Sequence, residues 1–359
     1  MARAPLDIQI IVIELVYASC QHEAIDYCTL RACALVCRAW TPIAQRLLFR
    51  RVPVSKPMRI HPNNSKFTRL LRTLSAAPHP ASHVRSITII LGQEKSTASE
   101  DLEVLGLCSN VEGIFIVGNF ASSSSLPALA ERLRTMRIRP VFLSMSGGPA
   151  VVSTLMQIWP SARALEVRAG FDGVTNADLF MAMRIPHAVE ALSIFHADLF
   201  WAAPIGGLLM VRYLELQELE WLNATLLRHL LVSGVLPRLR SLCITGTYGS
   251  PVPRTVLEQL ARVETLVVSG LPREAMELPR TLRHLGYHFY GLGHESIAGA
   301  QLLMDAARAL PELRLVTAIS RSSTEVLKRF HTTCQHAGVE LVVYKEPWRF
   351  PRPGNVDWI

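Results

Sequence analysis

The sequence contains none of the short motifs that mark the common catalytic centres. Gly-x-Ser-x-Gly, the phosphate-binding loop, Gly-x-Gly-x-x-Gly and His-Glu-x-x-His are all missing. The carboxylates are scattered along the chain, and no base and nucleophile are paired in a way that would complete an active site. We therefore predict that the protein is not an enzyme, with no catalytic residue and no cofactor.

Paired cysteines and long hydrophobic runs are also missing. The number of cysteines, 7, is odd and no Cys-x-x-Cys pair occurs, so the sequence predicts reduced thiols and no metal site. No apolar run approaches the roughly 18 residues of a membrane span. Asp7 and Glu14 interrupt the first apolar segment, unlike a secretion signal. These absences predict a cytoplasmic or nuclear protein, or one present in both compartments, without a membrane partner.

Acidic residues are missing from one long stretch. None occurs between Asp26 and Glu94, whereas residues 94–359 carry equal numbers of basic and acidic side chains. A local positive field can attract nucleic acid, phosphate or an acidic protein. No interleaved aromatic residues and no binding motif accompany these charges, so we predict a solvated basic region and no nucleic-acid partner. A basic nucleic-acid or phosphate binder acting through residues 46–72 is the alternative, and its binding would fall steeply with salt.

The most informative stretch that is present runs from Leu30 to Phe49. Its apolar residues Cys33, Val36, Cys37 and Trp40 have the spacing of one helical stripe. Cys33 and Cys37 are predicted to be buried on this stripe, as free cysteines usually are. Thr41-Pro42 then interrupts the pattern, with Thr41 suited to cap a second helix over 43–49. The stretch predicts two short helices that meet at a corner filled by Trp40.

These residues resemble the end of an F-box of the fungal type. The run 35–40 reads Leu-Val-Cys-Arg-Ala-Trp, and Leu48-Phe49 follows it. Residues 5–8, Ile11 and Leu15 fit the opening of an F-box, whereas Ala4 replaces its first Leu. The resemblance covers residues 4–52 and implies a three-helix module that binds the Skp-type adaptor of a cullin ubiquitin ligase. The implied adaptor-binding residues are Pro5, Leu6, Ile8, Ile11, Leu15, Leu35, Val36, Cys37 and Trp40. The alternative is an ordinary helical cap in which Leu35 and Trp40 are core residues.

Residues 53–82 contain five prolines, which predicts a linker with one helix near Phe67 to Leu74. Beyond it, the pattern apolar-x-x-apolar-x-apolar recurs at intervals close to the roughly 20–29-residue period of leucine-rich repeats. The middle residues of the copies are Ile87, Ile114, Val141, Leu165, Leu192, Leu214, Leu242, Leu266, Leu285, Leu313 and Val342. Residues 83–345 thus resemble leucine-rich repeats, and 346–359 form a tail. Only Asn119 occupies the usual Asn position of such repeats, so we expect an irregular solenoid. The alternative is an ordinary α/β domain.

The residue after each middle position is predicted to point to the concave face of the repeat sheet. This row is Thr88, Phe115, Phe142, Glu166, Ser193, Glu215, Cys243, Val267 and Gly286. Exposed aromatic side chains on a rigid surface are typical anchors for a protein partner. The predicted target-binding residues are Phe115, Phe142, Glu166, Arg168, Phe195 and Glu215. If the phenylalanines instead pack beneath loops, this surface is not a binding patch.

The sequence therefore predicts an α/β protein in which a small N-terminal three-helix F-box-like module precedes an irregular leucine-rich-repeat solenoid with a curved parallel sheet. The two resemblances imply a substrate-recruiting subunit of a Skp–cullin–F-box ubiquitin ligase. Its helices would hold the adaptor, and its repeats would hold an unknown target protein. The alternative is a repeat scaffold for protein interactions that has no role in a ligase.

Overall fold

The protein is described from a computed structural model, and the chain divides into two compact units between Ser144 and Met145. The structure describes residues 6–19, 27–54, 65–76, 78–91, 102–118, 126–146, 149–168, 188–195, 208–219, 224–246, 252–269, 278–288, 294–319 and 324–344. Pro5 and the tail 346–359 lie outside these residues.

The first unit begins with three helices, α1 (Leu6–Ser19), α2 (Tyr27–Val36) and α3 (Trp40–Arg50). Each helix contributes to one apolar cluster, which consists of Ile13, Leu30, Cys33, Ala44 and Leu47. Trp40 is half-buried and packs against this cluster from the corner between α2 and α3. The predicted pair of helices meeting at Trp40 is thus confirmed. The name helical module is used below for α1 to α3.

The turn between α2 and α3 differs from its prediction. Helix α3 already begins at Trp40, with Ala39 in the capping position, so that Thr41 and Pro42 lie within its first turn. The Thr41 hydroxyl donates to the carbonyl oxygens of Ala34 at 2.8 Å and Cys37 at 3.1 Å. Thr41 therefore satisfies carbonyls at the end of α2, where helices leave them without partners. Proline is tolerated in a first turn, because no hydrogen bond to its nitrogen is needed there.

The remainder of the first unit is α/β. Its elements are β1 (Arg51–Val54), α4 (Ser65–Ala76), α5 (Pro78–Ser82), β2 (Ser86–Leu91), α6 (102–107), β3 (Gly113–Gly118) and α7 (Leu126–Thr135). Strands β1, β2 and β3 pair in parallel in that order. The range 53–82, predicted as a linker, contains α4, α5 and part of β1. Its helix was correctly placed, and its described residues form regular secondary structure that leads into the sheet.

Strand β4 (Phe142–Ser146) crosses the division, and the second unit continues as a series of strands and helices. They are α8 (Pro149–Ile158), β5 (Ala164–Arg168), β6 (Ala191–Phe195), β7 (Tyr213–Leu219), α9 (Ala224–Ser233), β8 (Ser241–Gly246), α10 (Arg254–Leu257), β9 (Thr265–Val268), β10 (His284–His288), α11 (His294–Ala309), β11 (Leu315–Ile319), α12 (Thr324–His336) and β12 (Glu340–Tyr344). Strands β5 to β12 lie in sequence order, and each is parallel to its neighbours. Pairing only with sequence neighbours is the arrangement of a solenoid.

The apolar pattern of the repeats is buried as predicted in eight copies. In the second unit, Leu165, Leu192, Leu214, Leu242, Leu266 and Leu285 pair side by side and are all buried. Ile87 and Ile114 pair in the same way in the first unit. Stacked repeats bury a continuous apolar core that one repeat could not bury alone.

The predicted middle residue is wrong in three copies. In β11 the residue beside Leu285 is Val316, not Leu313, and in β12 the residue beside Val316 is Leu341, not Val342. In β4 the buried residue is Leu143, whereas Val141 is exposed. All three segments contain apolar residues at neighbouring positions, so that more than one register fits the pattern. In the part of the chain that the structure describes, no helix has both the length and the apolar character needed to cross a bilayer.

Candidate functional site

The first candidate surface is an apolar face of α1 that nothing in the described structure covers. Ile8, Ile11, Val12 and Leu15 are exposed, although Ile13 on the same helix is fully buried. The exposed residues have the spacing i, i+3, i+4 and i+7, so they lie on one face. Large apolar side chains gathered on one exposed face of a helix are typical of an interaction surface. Helix α1 is thus suited to a partner that covers its outer face.

The end of α2 adds two further exposed apolar side chains. Leu35 is 86 % exposed, and Val36 is exposed as well. Six of the ten large apolar side chains that are exposed among the described residues lie between Ile8 and Val36. Such a concentration in one small module marks an interaction surface, because single exposed apolar residues elsewhere are ordinary. The alternative in which Leu35 is a core residue is wrong.

The other predicted adaptor-binding residues differ in their surroundings. Cys37 is exposed in the turn after α2, which corrects the prediction that a buried stripe continues through Val36 and Cys37. That stripe cannot continue because α2 ends at Val36. Trp40 is half-buried and supports the module from inside. Leu6 begins α1, but its side chain is not among those that the structure describes.

The second candidate surface is the sheet face formed by the predicted row. In the second unit, Glu166, Ser193, Glu215, Cys243, Val267 and Gly286 lie side by side on β5 to β10. In the first unit, Thr88 lies beside Phe115. Phe142 does not belong to this row: its N–H donates to the Glu112 carbonyl, which places it beside Gly113 and gives the row position in β4 to Ser144. The row was therefore predicted correctly except in β4.

In the first unit, Phe115 and Phe142 form an aromatic pair. Their ring centroids are 5.1 Å apart, and the ring planes are tilted by 56°. Phe142 is buried and Phe115 is half-buried. The expectation of two exposed aromatic anchors is therefore wrong for Phe142, which instead supports Phe115 from beside it.

In the second unit, Glu166, Arg168 and Phe195 form a charged and aromatic cluster on β5 and β6. The Arg168 guanidinium donates to Glu166 Oε1 at 2.8 Å, and its Cζ lies 4.7 Å from the centre of the Phe195 ring. The Glu166 side chain is only 3 % exposed, whereas that of Arg168 is 36 % exposed. Phe195 is buried, so it positions Arg168 rather than contacting a partner directly. Arg168 is the member of this cluster that a partner can reach.

Replacing Arg168 with Met should lower the free energy of unfolding by about 2 kcal/mol, because the buried Glu166 carboxylate loses a charged donor. The measurement is urea denaturation of the full chain at neutral pH. Adding Glu166→Gln to Arg168→Met removes the buried charge that Arg168 balances in the unmodified chain, and this double variant should regain part of the loss. Equal stability of the single variant and the unmodified chain would contradict the role given to Arg168.

Glu215, on β7, is held by the neighbouring polar side chains. The Ser193 hydroxyl donates to Glu215 Oε2 at 2.6 Å, and the Gln217 amide donates to Oε1. Cys243 follows in the row on β8 and is buried; burial, and secondarily the Glu215 charge, raise the pKa of its thiol well above the usual value. This thiol is therefore protonated and unreactive at neutral pH.

The row continues from Gly286 to Thr317 on β11, where the side chain of His284 on β10 contacts it. His284 Nε2 lies 2.9 Å from the Thr317 hydroxyl, and both residues are buried. Gly286 makes this contact possible: a Cβ on Gly286 would lie 2.9 Å from the Thr317 hydroxyl and would also clash with Val267. Burial lowers the pKa of His284 to about 4, so the imidazole is neutral at physiological pH.

Stability should therefore fall with pH in a window set by His284. Between its ordinary pKa of 6.5 and its folded pKa of about 4, the unfolded chain binds a proton that the folded chain does not. Stability is consequently lost as the pH falls, by about 2 kcal/mol between pH 7 and pH 5. Urea denaturation at both pH values measures it, and His284→Gln is the matched control that should remove this part of the pH dependence. An unchanged dependence in that variant would contradict the assignment to His284.

The basic stretch of the first unit is partly neutralised by its neighbours. Arg46 pairs with Glu14 at 2.8 Å, and Arg85 pairs with Glu112 at 3.5 Å. Of the range 46–72 proposed for nucleic acid or phosphate, residues 55–64 lie outside the described residues. Such surface pairs contribute little stability, but they reduce the local positive field.

Sequence reasoning missed a charged position that immediately precedes the strands. Its members in the second unit are Arg163, Glu190, Arg212, Arg240, Glu264, Arg283 and Arg314. The signal was present in the sequence, since the strand pattern is repeatedly preceded by Arg or Glu, as in Leu-Arg-Ser-Leu at 239–242. It was overlooked because only the apolar residues of the repeat were aligned.

No family model matches the chain, and no curated protein matches it in sequence.

Proposed function

We propose that this protein is a substrate-recruiting subunit of a Skp–cullin–F-box ubiquitin ligase in the cytoplasm or nucleus. The helical module binds a Skp-type adaptor, and the repeats bind the target protein. The observation that carries the proposal is the exposed apolar surface of the helical module, formed by α1 and the end of α2.

Three features of the module support an adaptor as the partner. Its residues resemble an F-box, and the resemblance assigns Ile8, Ile11, Leu15, Leu35 and Val36 to the adaptor interface. All five are exposed although they are apolar. The module also has its own apolar cluster, so the exposed residues are not needed to hold its three helices together. Apolar side chains on a preorganised scaffold lose little conformational entropy on binding, which favours affinity.

The repeats are suited to hold a target. Parallel pairing fixes the row positions of β5 to β10, so that the side chains of Arg168 and Glu215 project from a rigid sheet. Arg168 presents a guanidinium held by Glu166 and Phe195, and arginines supported in this way are common anchors in interfaces. The leucine-rich-repeat family and the curvature of the sheet belong to this proposal. The chain itself supplies proximity, and other subunits perform ubiquitin transfer.

Reconstitution tests the proposal. The full chain is mixed with a Skp-type adaptor, a cullin with its RING subunit, ubiquitin and the activating and conjugating enzymes. We expect ubiquitin to be attached to lysines of the chain only when the adaptor is present. A substrate-recruiting subunit that is held in a ligase lies within reach of the conjugating enzyme that carries the ubiquitin.

The rival scaffold function predicts a different outcome of the same experiment. A folded chain that acquires no ubiquitin and does not co-elute with the adaptor would favour a repeat scaffold without a role in a ligase. Trp40→Ala is the control for folding. Because Trp40 packs against the core of the helical module, this variant shows how loss of the module's stability alone affects ubiquitin attachment.

A further inference from the structure

A second surface of the second unit is not used by the proposed function. It is a groove of about 1090 Å³ beside the starts of β7 to β10. Five arginines line it, namely Arg212, Arg238, Arg240, Arg262 and Arg283, and two carboxylates, Glu264 and Glu312, accompany them. All five arginines are exposed, so the groove is open to a partner and strongly positive. We call it the arginine groove.

The backbone holds the positions of the arginine groove rigidly. The N–H of Arg240 donates to the Arg212 carbonyl, that of Glu264 to the Arg240 carbonyl and that of Arg283 to the Glu264 carbonyl, each at 2.8 Å. Each of these residues directly precedes its strand, and neighbouring strands are about 4.8 Å apart. Arg240 and Arg283, on either side of Glu264, are therefore separated by roughly 10 Å along a fixed edge.

Four arginines of the groove keep their charge available to a partner. Within the described ranges, the side chains of Arg212, Arg240, Arg262 and Arg283 take part in no ion pair. Guanidinium groups bind carboxylates through two parallel hydrogen bonds, with a geometry that suits them to recognise acidic side chains. Several such groups along one edge fit a ligand that carries several separated carboxylates.

We propose that the arginine groove binds an extended, carboxylate-rich segment of a partner protein. Aspartate and glutamate side chains of this segment pair with Arg240 and Arg283, and its backbone follows the edge over Pro237 and Ala261, which also line the groove. The proposal is independent of adaptor binding, because every residue involved belongs to the second unit.

The groove favours a peptide over a nucleic acid for two reasons. Glu264 and Glu312 would repel a continuous phosphate backbone, whereas a peptide can place neutral residues beside them. Binding of single strands also relies on aromatic side chains that stack with bases, and no aromatic residue is among the described residues that line the groove.

Fluorescence anisotropy with the full chain tests the proposal. The probe is a short fluorescein-labelled peptide of alternating Glu and Gly, and its counterpart carries Gln in place of Glu. We expect binding of the Glu peptide alone, weakened by salt, and a loss of affinity of about tenfold or more in the variant R240E/R283E. The milder variant R240Q/R283Q should lose affinity in the same direction, which separates loss of pairing from charge repulsion or misfolding.

The matched control is R137E/R139E, which makes the same charge change at two exposed arginines of the first unit and should leave the affinity within about twofold. The proposal is overturned if the Glu peptide does not bind, if the Gln peptide binds equally well, or if R240E/R283E binds like the control. Tighter binding of a phosphorylated peptide or of a single-stranded oligonucleotide, lost in R240E/R283E, would also overturn it by assigning the groove to that ligand.

Discussion

The double variant Ile11→Glu with Leu35→Glu should bind a Skp-type adaptor at least about 100-fold more weakly than the unmodified chain. Central interface residues contribute about 2 kcal/mol or more each, and 1.4 kcal/mol corresponds to a factor of ten in affinity. Ile11 is 54 % exposed on α1 and Leu35 is 86 % exposed at the end of α2, so both are available to a partner. Biolayer interferometry with immobilised adaptor measures the change.

The same variant should fold as the unmodified chain does, because substitutions at exposed positions usually change stability by no more than about 0.5 kcal/mol. The matched control is Val232→Glu, on α9 of the second unit, where an apolar side chain of similar exposure, 80 %, becomes acidic. We expect this control to bind the adaptor normally. Equal weakening by both variants would mean that acidic charge alone, and not the apolar surface of the helical module, determines the affinity.

Leu47→Ala should lower the stability of the helical module by about 3 kcal/mol. Leu47 is 2 % exposed on α3 and packs in the cluster with Ile13, Leu30, Cys33 and Ala44. A Leu→Ala change at such a site removes buried apolar area and leaves a cavity, and similar changes cost about 2–5 kcal/mol. Hydrogen exchange of peptides from α1 to α3, followed by mass spectrometry, measures the free energy of local opening.

Leu35→Ala is the control, since it makes the same chemical change at an exposed position. We expect it to leave hydrogen exchange unchanged while it weakens adaptor binding. Leu47→Ala should speed exchange throughout the three helices and weaken binding only by the fraction of chains in which the module is open. Unchanged protection in Leu47→Ala would show that the cluster does not hold the helices together.

The positions of the helices in the helical module could be predicted from the sequence, but which of their faces are exposed could not. Spacing of apolar residues located α2 and α3, since this spacing is a property of the local chain. Spacing does not indicate whether an apolar stripe packs inside the protein or meets a partner. Hence Cys37 was expected to be buried and is exposed, whereas the buried residue of α1, Ile13, was not singled out. For Leu35, only the resemblance to an F-box favoured contact with a partner over packing inside the protein.

The sheet face could be predicted where the repeat pattern is unambiguous. Each strand from β5 to β10 has a leucine at the predicted middle position, and the row from Glu166 to Gly286 follows from this register. In β4 the run Val-Phe-Leu allows two registers, which is why Phe142 was misplaced. Burial on this face could not be predicted either, because neighbouring strands bring small and large side chains into contact, as Thr317 and Val267 do around Gly286.

The arginine groove shows a further limit of periodic patterns. Arg212, Arg240, Arg262 and Arg283 are each more than 20 residues from the next in sequence, and only the pairing of β7 to β10 brings them to one edge. A pattern search directed at apolar residues does not register their recurrence. Aligning the repeats on their strands, rather than on their leucines, would have shown it.

Isothermal titration of the purified full chain into a Skp-type adaptor tests the central claim most directly. We expect a complex of one chain with one adaptor, and a negative heat-capacity change, because Ile8, Ile11, Leu15, Leu35 and Val36 would leave water on binding. A chain that is folded by circular dichroism but gives no binding isotherm would show that this apolar surface serves another partner and that the chain is not a ligase subunit.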